Sequence, residues 1–169
     1  MNSESLAILL TNMAKESLCD IIDSLNFLLS SPMNARMAVM LEEYGLLELV
    51  KHEEFTRNDT YMALLFDVIA RMAKTTDLAS FPELLEFVIE NMKERKLLMR
   101  PALYFIEGLS KYKKYARRVR QINVKLAFAM LSARNKRYLN IVETIKQNIK
   151  YDEAEEEEDN ESTASYLSE

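Results

Sequence analysis

His52 and Cys19 are the only histidine and the only cysteine among 169 residues, which limits the chemistry this sequence can hold. A zinc site draws several ligands from these two residue types, and one of each cannot supply them. His52 follows the apolar run LLELV and precedes Glu53 and Glu54. That position suits a general base, or a cation at a helix C-terminus where positive charge is favoured; the second is the expectation. Cys19 lies beside Leu18, Ile21 and Ile22, so it is expected as a buried structural thiol. The carboxylate pairs Glu42-Glu43 and Glu53-Glu54 are adjacent in sequence, point apart on a helix and read as solvated surface. The two isolated glycines cannot build a phosphate-cradling loop. The expectation is a non-catalytic chain with no catalytic residues, no cofactor and no metal.

Binding chemistry is better represented. The net charge of −5 averages two opposed blocks. Residues 151–169 hold nine acids and no base, which leaves +4 on residues 1–150. From Gly108 to Val142 there are ten Lys and Arg and no acid. Lys114, Arg118, Gln121 and Lys125 share one helical face, while Val119, Ile122, Leu126, Ala129 and Met130 define another. The candidate basic face is Lys111, Lys114, Arg117, Arg118, Lys125, Arg134, Lys136 and Arg137. Solvated surface is one reading of it. The other is a contact face, because ordinary solvated helices mix the signs of their charges. Acidic protein segments would pair with its arginines. Nucleic acid would be held through phosphates, with Tyr112, Tyr115 and Tyr138 placed for stacking. An anionic membrane surface is a third ligand for such a face. A body charge of only +4 makes nucleic acid the less expected partner. The acidic stretch 151–169 is expected to be a disordered tail, and it has two readings: it aids solubility, or it folds back and competes with external ligands for the basic face. Its Ser162, Thr163, Ser165 and Ser168 are candidate phosphorylation sites.

The elements that must position these groups are helices. Two Gly and three Pro are too few for the turns of a sheet protein, and good helix formers dominate, so the expected class is all-α. A lone cysteine excludes an intrachain disulfide and suits a reducing compartment. No run of 18 apolar residues is present, and an acid precedes the first apolar run. No membrane span and no signal peptide are therefore expected, and the location read from the sequence is cytoplasmic or nuclear. Apolar periodicity places helices at 4–14, 16–30, 33–44, 60–74, 82–95, 98–112, 115–132 and 136–150. Ser3 caps the first, and Pro32 sits in the first turn of the third. Gly45 ends that third helix in the left-handed conformation, Asn58-Asp59 caps the fourth, and Pro82 and Pro101 open later ones.

Four long helices end in similar words: SLNFLLSS, DVIARMAKT, FIEGLSKY and IVETIKQN. Aligning Leu28, Met72, Leu109 and Ile145 gives spacings of 44, 37 and 36, a period typical of α-solenoids. Residues 34–73, NARMAVMLEEYGLLELVKHEEFTRNDTYMALLFDVIARMA, carry the order of an armadillo repeat: Asn34, a short helix, Gly45, the apolar Leu46, Leu47, Leu49 and Val50, a polar turn, then a long helix with Ala63, Leu64, Met72 and Ala73. This segment resembles the armadillo-repeat family, with HEAT repeats a near neighbour, and the resemblance extends loosely over the remainder.

That resemblance implies a short right-handed armadillo/HEAT-like α-solenoid of about three and a half repeats over residues 1–150, followed by the acidic tail 151–169. It also implies a protein–protein interaction scaffold or adaptor that binds a protein or peptide segment on its helical-repeat surface; the basic face adds an acidic segment to the candidates. The alternative is nucleic-acid or anionic-surface binding through 111–137. In the family the concave face is lined by the third helix of each repeat, often with Asn before the closing Leu. Here the matching positions are Phe27, Arg71, Gly108 and Thr144, so the Asn ladder of importin-like members is absent. The first helix, with Leu6, Ile8, Leu9, Leu10 and Met13, is wide and apolar and is expected to support self-association or a docked partner.

Overall fold

The computed structural model describes residues 18–121 and 138–149. Among them every regular element is helical, and the chain is all-α. The elements are α1 (Leu18–Ser30), α2 (Ala35–Glu43), a 3-10 helix (Leu46–Lys51), α3 (Glu53–Thr56), α4 (Asp59–Thr75), α5 (Phe81–Glu94), a 3-10 turn (Lys96–Leu98), α6 (Met99–Ser110) and α7 (Lys113–Gln121). Residues 139–149 form a further helix. The expected helix 4–14, the Ser3 cap, Lys125, Arg134, Lys136, Arg137 and the stretch 151–169 lie outside the described residues.

The chain divides into two compact units, Met1–Gly108 and Leu109–Glu169. The division falls inside the span 1–150 that the sequence presents as one domain.

In the first unit α4 is the central element. It packs against α1, α2, α3 and both 3-10 segments. Met62, Leu65, Phe66, Val68, Ile69, Ala70, Met72 and Ala73 are all buried, more than one face of the helix, as a core helix requires. Asn58 starts α4 by accepting hydrogen bonds from the Thr60 and Tyr61 amides. α1 presents Ile21, Leu25 and Leu28 to the core. Phe81 and Phe105 meet edge-to-face with ring centroids 5.4 Å apart.

Gly45 ends α2 with φ +82°, the left-handed value that glycine adopts without steric cost. α2 itself starts later than the sequence indicates. Asn34 is its cap, accepting from the Met37 amide at 2.9 Å, so Pro32 lies before the helix instead of in its first turn. Cys19 also departs from expectation. It is exposed, because the stripe that α1 buries runs through Ile21, Leu25 and Leu28, and Cys19 shares the opposite side with Asp23 and Asn26.

Contacts distant in sequence join the elements of this unit, among them one from Glu42 and one from Arg95. The Glu42 carboxylate accepts from the amide and the hydroxyl of Ser80, at 3.1 and 2.6 Å, and so lies at the N-terminus of α5, where an anion is favoured. Glu42 is thus a half-buried cap and not the solvated residue that its pairing with Glu43 implies. Arg95, just past α5, forms an ion pair with Asp59 in the first turn of α4. The same guanidinium donates to the Thr56 carbonyl at 2.8 Å and to Asn91 Oδ1 at 3.3 Å.

In the second unit, Tyr115, Ala116 and Val119 of α7 are buried, as are Ile141, Val142, Ile145 and Ile149 of the helix 139–149. Asn148 Nδ2 donates to Ser110 Oγ at 2.8 Å, and the Arg120 guanidinium donates to the Ile149 carbonyl at 3.0 Å.

Candidate interaction surface

Arg71 lies near the end of α4 and reaches α1. Its guanidinium donates to the carbonyls of Leu28 and Ser31, at 3.4 and 3.2 Å, and so places a cation at the C-terminus of α1. Asp67, four residues earlier, and Lys74, three residues later, share its face of the helix. α6 supplies Arg100 and Tyr104, also four residues apart. Together with Leu29 and Ala70 these side chains line an open groove of ≈ 240 Å³. Ala70 is buried and Leu29 half-buried, so the base is apolar while the walls are charged.

Three cations and one carboxylate line the groove. Lys74 pairs with Glu107 at 2.9 Å, and its ammonium sits 4.5 Å from the centroid of the Tyr104 ring. The Arg100 guanidinium lies 5.8 Å from the same ring, so Tyr104 has two cations against it. Burial pushes the Asp67 carboxyl above its ordinary range, and the positive charges of Arg100 and Arg71 pull it partly back. Chemically the groove is an anion-favouring cleft with an aromatic platform. Among the described residues, no group of three or more His, Cys, Asp or Glu is arranged to hold a metal ion. No helix among them is long and apolar enough to cross a membrane.

The four positions taken from the repeat alignment fare differently. Arg71 lines the groove. Phe27 is 40% exposed on α1. Thr144 is half-buried and donates to the Asn140 carbonyl of its own helix. Gly108 is buried and presents no open surface. A Cβ there would lie 3.0 Å from the backbone carbon and the Cβ of Ala73, so its role is the close approach of α6 to α4.

On the second unit, Lys111, Lys114 and Arg117 are exposed and Arg118 is half-buried. Tyr115 is only 2% exposed, which removes it as a stacking platform; it meets Tyr112 edge-to-face at 6.2 Å and carries Lys114 over its ring at 4.8 Å. Sequence reasoning missed Asp67, Lys74, Arg100 and Tyr104. The available signal was their 3–4 residue spacing on two consecutive long helices, 67–71–74 and 100–104. The chain matches no protein-family model, no curated protein and no solved structure.

Proposed function

We propose that this chain is a non-catalytic interaction scaffold built from armadillo-like helical repeats, and that it binds an extended segment of a partner protein along the groove formed by α1, α4 and α6. The groove carries the reading: three long helices from consecutive repeat positions contribute to one open cleft with an apolar base and polar walls. Two further observations support the repeat reading. Asn34, α2, the left-handed Gly45, the 3-10 helix Leu46–Lys51, the short α3 and the long α4 follow one another in the armadillo order. The aligned positions Leu28, Met72, Leu109 and Ile145 are each 0% exposed.

A photo-crosslinking phenylalanine analogue at Tyr104 tests the reading, with the same analogue at Tyr44, which is 60% exposed at the end of α2, as control. The expected result is a crosslink at Tyr104 alone that maps to one segment of the partner. A synthetic peptide of that segment should then compete for the site. Equal capture at both positions, or no competition by the peptide, contradicts the proposal.

A second reading has its own observation: Lys113, Lys114 and Arg117 are exposed on α7, a helix without an acid. Binding of an anionic surface through 111–137 predicts affinity for a generic polyanion that falls steeply with salt.

A further inference from the structure

Each cation of the groove has a different commitment. Arg71 is engaged with the two carbonyls at the end of α1, and Lys74 with Glu107 and the Tyr104 ring. Arg100 is exposed, and among the described residues it has no carboxylate at ion-pair distance; its guanidinium lies 5.8 Å from the centroid of the Tyr104 ring, and its charge acts on Asp67. Opposite, Asp67 is half-buried and makes no hydrogen bond or ion pair among the described residues. A carboxylate held in that way is costly to keep charged, yet it lies among cations that outnumber it three to one in the groove lining. Glu107 matches Lys74, so the excess left for an incoming anion is the charge of Arg71 and Arg100 over that of Asp67, and Asp67 opposes that anion by repulsion.

Resting on the groove as the partner site, we infer that the bound segment is acidic. An Asp or Glu carboxylate of the partner protein pairs with Arg100 beside Tyr104, and Asp67 is the specificity-determining residue that sets how much negative charge the groove accepts. Charge-assisted pairing with a planar guanidinium supplies the direction of the contact. The Tyr104 ring holds the Lys74 and Arg100 cations beside the place where the carboxylate binds.

The test uses the full chain and three fluorescent ten-residue peptides: one rich in Asp and Glu, its Asn/Gln counterpart and its Lys counterpart. Fluorescence anisotropy reads their binding to wild type, Arg100→Glu, Arg100→Gln, Asp67→Asn and the double variant Lys114→Glu/Arg117→Glu. Circular dichroism confirms that each variant is folded. The acidic peptide should bind wild type, Arg100→Gln should weaken it by about threefold and Arg100→Glu by about tenfold, the scale of losing and of reversing one exposed charged contact. Asp67→Asn should tighten it by roughly threefold, since solvent screens a partly exposed charge. The α7 double variant should leave it unchanged. If the acidic peptide binds but ignores both groove substitutions, or is lost only in the α7 double variant, the inference is overturned. If the Asn/Gln or Lys peptide binds in an Arg100-dependent manner, the groove stands as the partner site and its acidic preference is wrong. If Asp67→Asn leaves the affinity unchanged while Arg100→Glu lowers it, the role assigned to Asp67 is wrong.

Discussion

A Cβ added at Gly45 would meet no atom within 4 Å, so a substitution there is opposed by the backbone angle alone. Gly45→Val should lower stability by about 1–2 kcal/mol, because a β-branched residue resists positive φ. Gly45→Asn should cost less, since Asn tolerates that region. At Gly108 the reason is crowding: Gly108→Ala forces its Cβ against Ala73 and should cost about 1–3 kcal/mol. Urea titration separates the two. A neutral Gly108→Ala would mean that α4 and α6 part easily. Asp67 gives a pH signature. Its carboxyl is raised above 3.8 by burial, so between that value and its higher folded value the folded protein holds a proton that the unfolded chain releases. Stability therefore falls as pH rises through that window. Asp67→Asn should remove this slope and leave the protein slightly more stable above the window, because solvent still reaches part of the group. Thermal melts across the acid range would show it, and an unchanged slope would contradict the assignment to Asp67.

Most helix ends were legible from local signals, Pro32 being an exception that lies before α2. Asn58, Gly45, Pro82 and Pro101 each act on the turn in which they stand, and the structure finds each at a helix terminus. The joints between elements were not legible, because they link residues far apart in sequence. Glu42 finds Ser80 38 positions away, and Arg95 finds Asp59 36 away. Nothing in the neighbourhood of Glu42 distinguishes it from Glu43. Yet Glu42 caps α5 and Glu43 is exposed. Glu42→Ala should destabilise by about 1 kcal/mol, the usual loss of a helix cap, while Glu43→Ala should change little. Arg95→Ala removes an ion pair and a carbonyl contact together and should cost about 1.5–3 kcal/mol. Denaturant midpoints of these three variants order the contacts, and equal effects at Glu42 and Glu43 would refute the cap.

For the molecule as a whole, composition alone gave the all-α class, since so few glycines and prolines leave little else. The groove stayed hidden, because Arg71 was the only one of its residues at a repeat-matched position. Asp67, Lys74, Arg100 and Tyr104 acquire meaning only once α4 and α6 are side by side. The charge asymmetry was plain from the start, and it makes its own prediction for the second unit. Removing residues 151–169 should tighten polyanion binding by the exposed bases Lys111, Lys114 and Arg117, with helical content unchanged. Binding that is the same with and without that stretch would end the idea of an internal competitor. The central claim, that a partner segment lies in the groove, is tested most directly by backbone amide chemical-shift mapping of the full chain with the segment captured at Tyr104. The account predicts that the largest shifts fall on residues 67–74 and 100–104. Shifts confined to 111–121, or spread evenly over the helices, would contradict it.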